Sequence, residues 1–291
     1  MTGVSVEPTK PAGSGFWTRV GSAALLVPIL LALVWFGPDP WAIAMGLLAF
    51  IGSEELGKLL SRDNGAAFWR WGPPVVGVAV YAYLIWGLSA PSLVVLGPLS
   101  LMLGLSALIF LVRPGGWLSS PGRRLVVQLT GILYICVFAS FVTRVHAGSW
   151  PGAAPVDDGP RWVFLLLCLV WASDTGAYLV GVRYGRRKLW PAVSPKKSWE
   201  GLGGGIVFTI LGAIILTRSF HFGWSELEAA GLGAVVGMAA PVGDLVESRL
   251  KREAGTKDSG QWIPGHGGVL DRFDALLFAA PLFYYYLQLI A

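Results

Sequence analysis

Nine apolar stretches recur between Val20 and Ile290, each close to the length a helix needs to cross a bilayer. Their approximate bounds are 20–36, 41–60, 73–88, 92–112, 125–145, 162–182, 201–216, 227–246 and 273–290. A chain in lipid must satisfy its backbone hydrogen bonds internally, and an apolar run of this length does so as a helix. Breakers such as Gly37-Pro38-Asp39-Pro40 and Ala90-Pro91 separate neighbouring runs. Only 13% of the 291 residues are charged, against about 25% in a soluble domain. The sequence therefore predicts an all-α polytopic integral membrane protein with about nine transmembrane helices.

Residues 1–16 are rich in Pro, Gly, Ser and Thr with no apolar period, which predicts a disordered cytoplasmic tail. The first apolar run starts late and no small-residue cleavage site follows it, so a cleaved signal peptide is not expected. With the N-terminus cytoplasmic, only Arg144, Arg161 and Arg218 of the 22 Lys and Arg fall on the outer side. The positive-inside rule thus fixes the orientation and accounts for the net charge of +5 without nucleic-acid binding. Residues 17–160 would hold about five helices, and residues 161–291 about four helices with the polar loops between them. No internal repeat is visible. Cys136 and Cys168 each sit in an apolar run and read as buried thiols.

One stretch breaks the apolar pattern. Gly243 to Asp274 carries the acids Asp244, Glu247, Glu253, Asp258, Asp271 and Asp274 together with Arg249, Lys251, Arg252, Lys257 and Arg272. Gly265, Gly267 and Gly268 surround His266 within it. Carboxylates bind hard cations, Lys and Arg bind phosphate oxygens, and glycines let backbone N–H groups approach an anion. Both partners of a metal–polyphosphate complex are provided for. Asp174 lies inside the sixth apolar run, where a carboxylate is costly and therefore functional by default. Asp157 and Asp158 fall in a Pro- and Gly-rich loop and read as solvated. Glu54 and Glu55, near the end of the second run, read first as interface acids and second as acids facing the bundle interior.

The run Ser248-x-Leu250-Lys251-Arg252, Lys257-Asp258-x-Gly260, Pro264-x-His266-Gly267-Gly268-x-x-Asp271-Arg272-x-Asp274 resembles the signature of the phosphatidate cytidylyltransferases, or CDP-diacylglycerol synthases. A second block, Ser194-Pro195-Lys196-Lys197-Ser198-Trp199-Glu200-Gly201, is similar to the same family. The resemblance is sharpest from Ser194 onward; before about Asp174 only the general membrane character matches. It implies transfer of CMP from CTP to phosphatidic acid, giving CDP-diacylglycerol and pyrophosphate for phospholipid biosynthesis. It also implies Mg²⁺ with room for a second cation, a homodimer, and a bacterial inner membrane with the active site facing the cytoplasm.

Asp244 closes the eighth run and Asp271 precedes the ninth, so the two can converge at one interface as metal ligands; the resemblance implies the same pair. Asp274 would complete that site or bind the second cation. Lys251, Arg252 and Lys257 are expected at the triphosphate, and Arg272 at a phosphate or a carboxylate. Asp258 reads as a metal or nucleotide contact or a loop ion pair. Lys196, Lys197 and Ser198 would grip the lipid phosphate or the nucleotide, with Glu200 orienting them. Ser248, Gly267, Gly268 and Asp174 complete the expected substrate contacts. A phosphate monoester is already ionised near neutral pH, so His266 is expected to be structural or to touch phosphate rather than act as a base. Glu247 and Glu253 read as ion-pair partners of the neighbouring cations. Two rivals stand beside this reading: a CTP-dependent transferase or kinase acting on an isoprenoid lipid, and an ion-coupled transporter, which the missing repeat disfavours.

Overall fold

The computed structural model describes residues 12–60, 67–87, 93–113, 115–148 and 158–290. Its helices are α1 (Ala12–Trp35), α2 (Pro38–Leu60), α3 (Ala67–Ala82), α4 (Leu93–Val112), α5 (Pro121–His146), α6 (Gly159–Tyr184), α7 (Trp199–Ser219), α8 (Glu226–Ala254) and α9 (Leu270–Ile290). A π-helical turn, Tyr83–Gly87, extends α3. Every apolar stretch corresponds to one of these helices. Six of them (α1 and α5 to α9) are long and apolar enough to cross a membrane, and shorter apolar helices cover Gly72–Trp86 and Leu96–Val112. The fold is that of an all-α membrane protein. Residues 1–11 and the acid Asp157 lie outside the described residues, and α1 begins at Ala12, within the segment read as a tail. Asp158 pairs with Arg161 at 2.9 Å.

Three differences from the sequence reading shape the site. The basic segment after α6 is not all loop: β1 (Lys188–Trp190) pairs antiparallel with β2 (Ser194–Ser198). Ser198 then caps α7 by accepting the Gly201 N–H. The eighth helix runs on to Ala254, where Gly255 at φ 77° ends it in a left-handed cap. That extension puts Glu247 and Lys251, four residues apart, on one helical face. The ninth helix starts at Leu270, so Asp271 lies in its first turn.

The bundle core is apolar and aromatic, with Phe138, Phe141, Phe283 and Tyr284 buried between α5 and α9. Helices approach closely where a side chain would not fit. A Cβ on Gly243 would strike the Asp274 carbonyl oxygen, so glycine there sets the crossing of α8 and α9. Cys136 is buried with its thiol on the Gly77 carbonyl at 3.1 Å, and Cys168 is partly buried; both are free, as read from sequence.

Candidate active site

α1, α2, α6, α8, α9 and the segment between α8 and α9 enclose a cavity of about 780 Å³. Its walls have two characters. Asp174, Asp244, Glu247, Asp258, Asp271 and Asp274 line it together with Lys251, His266 and Arg272. The rest of the wall is mostly apolar and comes largely from α1, α2 and α6, including Leu26, Leu30, Leu47, Ile51, Leu167 and Trp171, with Phe273 and Leu276 of α9. A cavity of this size suits a small-molecule substrate.

The metal-ligand candidates face this space, each already held. Asp244 Oδ2 pairs with Lys197 Nζ at 2.6 Å, and Asp244 Oδ1 accepts from Ser248 Oγ at 3.0 Å. Lys251 links Glu247 on its own helix, at 2.9 Å, to Asp271 at the start of α9. The other oxygen of Asp271 accepts the N–H of Ser259 at 3.0 Å and of Gly268 at 2.8 Å. Asp274 is buried one turn further and accepts the Ala275 N–H at 2.7 Å. Among the described residues, no three His, Cys, Asp or Glu side chains stand close enough together to hold a metal ion by themselves.

The segment between the helices is folded around glycine. Gly265 and Gly267 have φ of 76° and 87°, a region that side chains rarely enter. Ile263 and Gly267 close a short antiparallel bridge, leaving His266 at the tip. His266 contacts Ser22 Oγ through Nδ1 at 2.8 Å, and its carbonyl accepts two bonds from Arg272. Burial, with Arg272 and Arg19 nearby, holds its imidazole below the ordinary 6.5. This is a structural placement at the cavity wall.

Several expected contacts lie elsewhere. Arg252 lines a separate cleft with Arg113 and Trp190 and donates to the Thr256 carbonyl at 3.2 Å. Lys196 and Lys257 are exposed and are not part of the cavity wall. Glu200 does not orient the lysines of its block. It accepts the N–H groups of Arg186 and Arg187, each at 3.2 Å, and so holds the start of the hairpin. Glu253 is the ion-pair partner expected, joined to Arg249 at 3.2 Å and to the N–H of Trp117 at 2.9 Å. Glu247 pairs with Lys251 as expected, yet it also lines the cavity, with Oε1 buried and without a partner.

The sequence reading gave Glu55 too little weight. Its carboxylate is wholly buried and accepts from Ser259 Oγ at 3.1 Å, Val269 N at 2.9 Å and Leu270 N at 2.8 Å. Beside it, Glu54 pairs with Lys58 and accepts the Trp262 indole N–H at 3.2 Å. The only signal for this in sequence is an acid inside an otherwise apolar run.

Residues 17–290 match the cytidylyltransferase family. The chain is similar to a Mycobacterium bovis protein named phosphatidate cytidylyltransferase, 34% identical over 86% of this chain and 80% of the relative. A Haemophilus influenzae protein of the same name is 34% identical over 92% of this chain and 97% of its own length. A third so named, from Synechocystis, is 43% identical over about half of each chain, at 49% and 48%.

Proposed function

Because the chain belongs to the cytidylyltransferase family, we propose that it transfers CMP from CTP to phosphatidate, giving CDP-diacylglycerol for phospholipid synthesis. One observation carries the reading beyond the name: a single cavity joins the charges of the signature segment to a long apolar wall. A substrate with a phosphate at one end and acyl chains at the other fits that division.

In the reaction a phosphate oxygen of the lipid forms a bond to the α-phosphorus of CTP, the α–β phosphoanhydride bond breaks, and pyrophosphate leaves. Two anions must be brought together, so the site has to neutralise charge and hold the partners in line. Lys251 and Arg272 face the cavity as phosphate donors, and Lys197 reaches it through Asp244. Asp244 and Asp271 are the oxygen donors suited to Mg²⁺, which takes only one or two protein carboxylates, with Asp274 behind them. A bound Mg²⁺ would supply charge neutralisation on the phosphate oxygens. A phosphate entering the cavity offers Lys197 and Lys251 a new partner and frees the two carboxylates.

The same reading places all nine helices across the membrane, with the N-terminus and the polar end of the cavity on the cytoplasmic side, where CTP is found. Leu26, Leu47 and Trp171 line the cavity and are exposed, which supports a lateral opening to lipid. The protein would act as a homodimer in a bacterial inner membrane.

The test is an assay in detergent micelles with phosphatidate, α-³²P-labelled CTP and Mg²⁺. Label should enter the lipid phase as pyrophosphate is released. Release of CDP instead would point to a kinase, and no transfer to phosphatidate would overturn the assignment.

A further inference from the structure

We infer that Glu55, on α2, is a positioning residue for Asp271; the inference rests on the cytidylyl-transfer reading and extends it to the N-terminal helices. At the start of α9, three consecutive backbone amides need acceptors, as they do at any helix N-terminus. Gly268 N–H, two residues before the helix, goes to Asp271 in its first turn, at 2.8 Å. Val269 and Leu270 N–H go to Glu55 from α2, at 2.9 and 2.8 Å. Ser259 is shared: its hydroxyl donates to Glu55 and its N–H to Asp271.

The division of labour matters for the cavity. Negative charge is drawn to a helix N-terminus, and the carboxylate closest to these amides along the chain is Asp271. With Val269 and Leu270 satisfied by Glu55, Asp271 keeps one oxygen for Lys251 and the open cavity. Remove the charge of Glu55, and the freed amides compete for Asp271 and pull it toward a capping role.

The segment is shaped to receive Glu55. A Cβ on Gly260 or on Gly268 would collide with its carboxylate, so these two signature glycines make room for a residue of α2. Neighbouring contacts grip the same segment. Trp262 is held by Glu54, the Gly265 carbonyl by Arg19 Nε at 3.0 Å, and His266 by Ser22. The first two helices therefore act as a clamp on the signature segment, with Glu55 as its buried centre.

The experiment compares full-length wild type, Glu55→Gln and Ser259→Ala in detergent. Hydrogen exchange across residues 257–270 is read without CTP or metal, and transfer is then read against Mg²⁺ and phosphatidate concentration. In Glu55→Gln the amides of Ser259 and Gly268 should exchange faster, although neither bonds Glu55. The Mg²⁺ concentration for half-maximal rate should rise about tenfold, as for other residues that orient metal ligands, with the KM for phosphatidate unchanged. Ser259→Ala, which removes one bond, should move both readings the same way by less. Faster exchange confined to Val269 and Leu270 with a wild-type Mg²⁺ response would overturn the inference, and so would equal losses in Mg²⁺ and phosphatidate dependence. If Glu55→Gln does not fold, a wild-type Mg²⁺ response and exchange pattern in Ser259→Ala overturns it. A wild type inactive on phosphatidate would refute the proposed function instead, and the exchange data would still decide the positioning.

Discussion

Lys197 Nζ and Asp244 Oδ2 stand 2.6 Å apart, joining β2 to α8 and so the Ser194–Gly201 block to the polar stretch that begins at Gly243. Both side chains are partly exposed, so the pair itself stabilises the fold by no more than about 1 kcal/mol. Its importance is placement at the cavity. Lys197→Ala and Asp244→Asn should each lower kcat by about a hundredfold while shifting Tm little. The double variant should lose far less than the product of the two, because the residues act as one unit. Independent, multiplying losses would separate them.

Arg249 illustrates the opposite case, a cation buried for structure. Its guanidinium donates to the carbonyls of Leu111 and Arg113, ending α4, and pairs with Glu253. Arg249→Ala takes the donor from those carbonyls and the cation from Glu253, which keeps only its backbone N–H partners, at a cost of about 3–5 kcal/mol. Arg249→Lys should recover only part of this, since an ammonium lacks the fork that reaches three partners. Thermal denaturation followed in detergent checks both, and the folded fraction of each should retain its transfer rate.

The close crossing of α8 and α9 makes a sharp comparison between two glycines. Gly243→Ala puts a Cβ against the Asp274 carbonyl and 2.9 Å from Phe278 Cβ. Overpacking of this kind costs about 1–3 kcal/mol, and it pushes the helix bearing Asp271 and Asp274 away from α8. Activity should fall with stability. Gly203→Ala, with nothing within 4 Å of the new Cβ, should change neither.

His266 gives the pH dependence a sign. Burial, Arg272 and Arg19 lower its pKa below 6.5, so it is neutral near pH 7. Below 6.5 the unfolded chain takes up the proton more readily than the folded one, and stability falls as the pH drops. Above 6.5 the group contributes nothing. His266→Gln should therefore lose less stability than wild type between about pH 6.5 and pH 5. Parallel melting curves that stay equally spaced over that range would contradict this.

Much of this arrangement could be read from spacing. Apolar length marks every helix, six of which are long and apolar enough to cross a membrane. Asp244, Lys251, Asp271, Arg272 and Asp274 meet at one cavity because α8 and α9 flank a single short segment. Arg252 faces a separate cleft for a geometric reason: at 3.6 residues per turn, neighbours on a helix point about 100° apart. Lys251 and Arg252 cannot then face the same space. The hairpin was obscured by Pro195 and the two lysines of its second strand, which suit an edge but read as a loop. The sequence marks Glu55 only as an acid that could face the bundle interior, and what it touches is hidden for another reason. Its partners are two backbone amides and one hydroxyl, none of which leaves a mark on local sequence pattern.

The clamp also has a history within each molecule's synthesis. The groups that satisfy Glu55 lie 204, 214 and 215 residues after it. At about 5–20 residues per second, α2 emerges from the ribosome some ten to forty seconds before the hydrogen-bond donors of its buried acid. It is also absent from the six described helices that are long and apolar enough to cross a membrane. The final packing of α2 is therefore coupled to the arrival of the segment that leads into α9, and a chain that stalls before Ser259 leaves Glu55 without any of these three partners.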